Sequence, residues 1–105
     1  MNMASTLLIA EDDATSRKIY SAFLEGEGYK VIEASNGNAA LEVIEREAID
    51  VLLTDVVMQG MDGMELLACA REVQPNLRAI VMTSQRTPAM MSDTEPPRGP
   101  RTRAW

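Results

Sequence analysis

The sequence predicts an α/β fold built on a doubly wound parallel sheet with helices on both faces. Three observations carry this. Over the first 85 residues, short aliphatic runs alternate with longer amphipathic segments. The runs are apolar at consecutive positions, so both faces of each strand are destined for burial, as in a parallel sheet. The segments between them are long enough to be the helical crossovers that parallel neighbours require.

The elements follow in order. Residues 5–10, STLLIA, form a buried strand. Residues 14–28 form a helix with Ile19, Ala22, Phe23 and Leu24 as its apolar face, stopped by Gly26 and Gly28. Residues 29–34, YKVIEA, are the second strand. Residues 36–48 are the second helix, with Asn36 as N-cap and Ala40, Leu41, Ile44 and Ala48 on one face. Residues 50–55, DVLLTD, are the third strand. Residues 62–73 are the third helix, opened by a capping-box-like pair, Asp62 and Glu65, with Pro75 just beyond its end. Residues 77–84, LRAIVMTS, are the fourth strand.

Composition narrows the function. The chain has 105 residues, 46% hydrophobic and 25% charged, which suits one globular domain with a modest core. Its net charge of −6 argues against nucleic-acid binding through this domain, which wants a basic face. The single Cys69 excludes an internal disulfide framework and fits a reducing compartment. No apolar stretch approaches the ~20 residues of a membrane span, and Leu7–Ala10 is too short for a signal-peptide core. We therefore expect a soluble cytoplasmic domain. Histidine is absent, so no imidazole is on hand as base, phosphate carrier or metal ligand.

After about Gln85 the character changes. Residues 86–105 hold Pro88, Pro96, Pro97 and Pro100, and four arginines against two acids, a charge of +2. The first 85 residues carry −8. A segment such as EPPRGPRTR has neither helical nor strand patterning. The expected organisation is a partial domain over 1–85 and a Pro/Arg-rich, disordered tail over 86–105.

The chemistry gathers at the strand ends. In open parallel sheets, ligands bind beyond the carboxyl ends of the strands. Strand one ends in Glu11-Asp12-Asp13, strand three in Asp55, and strand four in Thr83-Ser84. With strands one and three adjacent, four acids converge, and their mutual repulsion is relieved by a hard divalent cation. Mg²⁺ needs only one or two protein carboxylates plus waters. Asp13, beside a helix start, serves equally well as an N-cap. A phosphohydrolase with an Asp nucleophile is disfavoured, because the position two residues after Asp55 is Val57 rather than a second acid. A nucleotide-binding domain is disfavoured too, since the turn after strand one is acidic and lacks a glycine-rich loop.

The segments LLIAEDDATSR, DVLLTDVVMQGMDGMELL and AIVMTS together resemble the receiver domain of bacterial two-component response regulators. The resemblance covers residues 5–85 and rests on four motifs in order at strand ends. It implies a flavodoxin-like doubly wound sheet, here incomplete, with about four strands and three helices. It implies that Asp55 accepts a phosphoryl group from a histidine kinase or phosphotransfer protein. Mg²⁺ would be held directly by Asp12 and Asp55, through water by Glu11, and by the Val57 backbone carbonyl. Arg17 sets the register of the acidic pair. Thr83 would bond the phosphoryl group through its hydroxyl, with small Ser84 beside it. Gln59 stands where the family often has proline. Such a module signals and is not an enzyme.

The pattern breaks after Thr83. The family has a fifth strand ending in a lysine that pairs with the phosphoryl group, then a last helix. Here the lysines are Lys18 and Lys30 only. Arg86 is too close to Thr83 to replace that lysine. The expectation is a truncated or frameshifted domain, ahead of a natural degenerate form, with impaired activity. The fourth strand becomes an apolar edge, which points to low stability or a homodimer. The alternative function is a phosphorylation-independent interaction fragment.

Overall fold

The computed structural model describes residues 5–82. They form β1 (Thr6–Ala10), α1 (Ala14–Gly26), β2 (Lys30–Ala34), α2 (Gly37–Arg46), β3 (Val51–Asp55), α3 (Gly63–Val73) and β4 (Arg78–Met82). The sheet is parallel, in the order β2-β1-β3-β4. The expected class and all seven elements are therefore present. Thr83, Ser84 and the 86–105 segment lie outside the described residues.

Register explains what each face buries. Leu8, Leu52 and Ala79 lie in one row across β1, β3 and β4. With Ala10 and Ala34 they face α2 and α3. Ala40, Val43 and Ile44 of α2 and Leu66 and Ala70 of α3 close this core. Leu8, Leu52 and Leu66 have no exposed surface, so each truncation to alanine would cost roughly 2–5 kcal/mol. The second helix differs from expectation at its end. It stops at Arg46, so Ala48 lies beyond it and is exposed, and Val43 takes the buried position.

The helix ends follow local chemistry. Asn36 caps α2 through Ala39 N–H at 2.7 Å. Asp62 and Glu65 form a reciprocal capping box, at 2.9 and 3.0 Å. Gly28 adopts φ +99°, which lets Tyr29 N–H return to the Leu24 carbonyl as α1 ends.

The apolar face expected for α1 is the main correction. Ile19 is 62% and Phe23 65% exposed, and Ala22 is exposed as well. Leu24 is partly buried, and Ser21 is the buried residue of the helix. The side of the helix that meets the sheet is polar: Arg17 and Lys18 both pair with Glu33 of β2, and Ser21 is buried there. On that face the row Ile9, Leu53, Ile80 runs away from α1. Ile9 is fully buried, Leu53 partly, and Ile80 is 56% exposed on β4, the edge strand among the described residues.

Candidate functional site

The strand order reverses between β1 and β3: the chain steps from β1 to β2 on one side and to β3 on the other. A crevice at the carboxyl ends of the strands is the general ligand position at such a switch point. Here it holds acids. Glu11 extends the ladder past β1, its N–H bonding the Ala34 carbonyl at 3.1 Å, and Asp55 is the last residue of β3.

Glu11, Asp12 and Asp55 each bring a carboxylate oxygen to within 4.8 Å of the others. Glu11 and Asp55 are each 2% exposed, and Asp12 is exposed above them. The fourth expected acid is not in the group. Asp13 turns back to cap α1, accepting from Ser16 N–H at 2.8 Å, and this bond holds its carboxyl below the usual carboxylate range.

Glu11 is under electrostatic stress. Burial pushes the Glu11 carboxyl up from 4.5 to about 7, against the bond it accepts from Asp13 N–H, and the Asp55 and Asp12 charges push in the same direction as burial. Glu11 Oε2 accepts that Asp13 bond at 2.9 Å, while Oε1 is buried and has no hydrogen-bond partner.

A divalent cation fits this arrangement. An orphaned buried carboxylate oxygen, beside two more carboxylates, is a hard-ligand set with charge to spare. Oxygens on one Mg²⁺ lie about 3–4 Å apart given Mg–O lengths near 2 Å. The 4.8 Å limit is met by a small closing of side chains or by one carboxylate acting through water.

The loop between β3 and α3 frames the site from above. Val56 N–H bonds the Met82 carbonyl at 2.8 Å, and Gly63 N–H closes the loop neck on the Val56 carbonyl at 2.9 Å. Within the loop, Val57 N–H reaches Asp55 Oδ1 and Gln59 N–H reaches Asp12 Oδ2, each at 3.3 Å. A Cβ at Gly63 would overlap the Asp55 carbonyl oxygen, and one at Gly37 would sit 2.9 Å from the Met61 Cβ. The glycines of the NGN and MDG stretches thus admit the loop between two helix starts.

Of the residues expected at the cation site, the carboxylates of Glu11, Asp12 and Asp55 lie together; at Val57 it is the N–H, not the expected carbonyl, that bonds within the site, to Asp55 Oδ1. Thr83 falls outside the described residues. Two polar contacts that support the site were not assigned from the sequence. One is Arg17 Nη1 on the Glu11 carbonyl at 2.8 Å, backed by Glu33. The other is the Gln59 amide on Asp12. Arg17 had a signal in its spacing from the acids. Glu33 had none, because its pairing crosses from β2 to α1.

Comparison with known proteins places this site in a family. The profile of the response regulator receiver domain matches residues 7–95. The chain is 39% identical over 92 residues to the response regulator receiver protein CpdR of Brucella abortus, covering 88% of this chain and 77% of that protein. It is 38% identical over 78 residues to the transcriptional regulatory protein GlrR of Escherichia coli, covering 74% of this chain but 18% of that longer protein. The response regulator protein TrrA of Thermotoga maritima, solved in complex with Mg(2+)-BeF, superposes with TM-score 0.74 at 26% identity, over 86% of this chain and 76% of that one.

Proposed function

This chain belongs to the response regulator receiver domain family, the phosphoacceptor modules of two-component signalling, and on that premise we propose that Asp55 is its phosphoacceptor. The observation that carries this is the placement of Asp55: the end of a central strand, at the floor of the acidic cluster, with Glu11 and Asp12 within 4.8 Å.

Chemically, an Asp55 carboxylate oxygen attacks the phosphorus of a phosphohistidine on a kinase or phosphotransfer partner. An O–P bond forms and the P–N bond breaks. The imidazole leaves with the electron pair and takes up a proton. None of these 105 residues is a histidine, so the donor imidazole lies outside them. A carboxylate nucleophile yields an acyl phosphate, as in other aspartyl-phosphate proteins. Bound Mg²⁺ supplies charge neutralisation for the incoming phosphoryl oxygens.

The residues divide the work. Asp12 and Asp55 would hold the cation directly, Glu11 would act through water, and the Val57 carbonyl would complete the protein's share. The Val57 N–H fixes the Asp55 carboxylate against rotation. Thr83, outside the described residues, would bond the transferred group through its hydroxyl. Lys18 is paired with Glu33, and Lys30 opens β2 at the opposite end of the sheet. Among the described residues, neither lysine stands at the acidic cluster. The module works in a phosphorelay and does not turn over substrate.

Beryllofluoride tests this reading. With Mg²⁺ present it should shift the backbone amide resonances of Val56, Val57 and Glu11 in the native chain and leave Asp55→Asn unchanged. Equal shifts in both proteins would contradict the assignment.

A further inference from the structure

We propose that Arg17 is a positioning residue for the acidic cluster, holding the turn that carries Glu11 and Asp12 by its backbone rather than through its carboxylates. Arg17 lies one turn into α1 with its side chain only 15% exposed. Nη1 donates to the Glu11 carbonyl oxygen at 2.8 Å. On another edge, Nε faces Glu33 Oε1 at 3.3 Å. Glu33 sits on β2 opposite Ile9, and Lys18 Nζ, on a side chain 71% exposed to solvent, also lies 3.3 Å from it, a contact too exposed to fix its position.

A guanidinium presents its donors in one rigid plane. Satisfying an acceptor on β2 and another at the end of β1 together fixes the plane of the Glu11–Asp12 peptide. That peptide sets the direction in which both acids leave the backbone. The same turn is tied from inside by Asp13 N–H on Glu11 Oε2 at 2.9 Å. Groups of this kind, one step removed from the ligands, commonly change metal affinity by ten- to a hundredfold when lost. The chain from Glu33 through Arg17 to Glu11 therefore couples β2, which contributes no acid to the cluster, to the geometry of the cation site.

The charge of Arg17 acts in the opposite sense, since a cation near the cluster repels Mg²⁺. Arg17→Lys separates the two effects: it keeps the charge and loses the planar fork. Lys18→Gln is the complementary control. It removes a cation from the same helix and the same Glu33 partner without touching the Glu11 carbonyl.

Two readouts follow, and only the second rests on the cation-site reading proposed above. In metal-free protein, hydrogen exchange at the Asp13 amide should quicken several-fold in Arg17→Lys and stay at the native rate in Lys18→Gln. In a titration with Mg²⁺ alone, followed by amide shifts of residues 11–13 and 55–57, Arg17→Lys should bind about tenfold more weakly. Lys18→Gln should bind as tightly as the native chain or more so. Glu33→Gln, which keeps an acceptor, should show the Arg17→Lys pattern at smaller size, and it serves if Arg17→Lys does not fold. Native exchange at Asp13 in both Arg17→Lys and Glu33→Gln would overturn the proposal, as would equal Mg²⁺ shifts in Arg17→Lys and Lys18→Gln. Absence of Mg²⁺ binding in the native chain would instead overturn the cation-site reading, and the exchange readout would still decide this one.

Discussion

Asp13 gives its backbone N–H to Glu11 Oε2 at 2.9 Å, while the other oxygen of the same carboxyl, Oε1, is buried and has no hydrogen-bond partner. Glu11 is thus half satisfied, and its carboxyl is raised from 4.5 to about 7, first by burial and then by Asp55 and Asp12. The linkage sign is definite. A folded value above the unfolded one means that the unfolded chain ionises more readily. The Glu11 contribution to stability is therefore present below about pH 4.5 and is lost as pH rises through about 7. Without divalent cation, the melting temperature should fall between pH 5 and pH 8 from this source. Mg²⁺ should raise it more at pH 8 than at pH 5, because it favours the ionised carboxyl. Thermal melts in EDTA and in Mg²⁺ across that range would show it, and Glu11→Gln should flatten both dependences.

The three capping residues Asn36, Asp62 and Asp13 are the features a sequence reveals best, because a cap joins groups three residues apart. The strands were legible for a similar reason: aliphatic runs such as Leu7–Ala10 admit few other fates in a chain of this pattern. The orientation of α1 was not legible. Ile19, Ala22 and Phe23 form an apolar stripe that reads as a core face. It points outward, and the opposite side of the helix meets the sheet through Arg17, which reaches a carbonyl at the end of β1 and a carboxylate on β2. A pairing across sixteen residues of sequence leaves no trace in periodicity. At the site, the acids were legible by their place after apolar runs. Their supports, the Gln59 amide and Glu33, are contacts between separate elements.

Two glycines should respond in opposite ways to alanine. At Gly63 an added Cβ meets the Asp55 carbonyl oxygen, a backbone atom that cannot move aside without shifting the acceptor strand. Gly63→Ala should cost about 3 kcal/mol or more by overpacking and should weaken Mg²⁺ binding. At Gly26, the last residue of α1, a Cβ meets nothing within 4 Å. Gly26→Ala should be neutral or stabilise by up to about 1 kcal/mol through the unfolded state. Urea denaturation of the two variants checks both.

Gln74 joins α3 to the far end of α2. Its Nε2 donates to the carbonyls of Ile44 and Glu47, each at 2.8 Å, and its Oε1 accepts from Ile49 N–H at 3.1 Å. Those groups lie at the end of α2 and in the turn into β3. At about 1 kcal/mol per bond, Gln74→Ala should destabilise by roughly 2–3 kcal/mol. Gln74→Glu should do no better, since it keeps the acceptor but loses both donors. Chemical denaturation with intact Mg²⁺ affinity in both variants would mark the effect as structural.

Apolar surface on the α1 side should drive self-association. Ile19, Phe23 and Ile80 are each more than half exposed, and Ile80 lies on β4, the edge among the described residues. Sedimentation equilibrium should show association that grows with concentration. Ile80→Lys, which places a charge on the edge, should reduce it. A native chain that stays monomeric at high concentration would exclude this behaviour.

The central claim concerns the acid at the end of β3. The chain should be incubated with acetyl phosphate, with and without Mg²⁺, and read by intact mass and by site mapping of the acyl phosphate. The account predicts a phosphoryl mass increment that requires Mg²⁺, maps to Asp55 and is absent in Asp55→Asn. A native chain that gains no such increment, or one that gains it equally after Asp55→Asn, would contradict it.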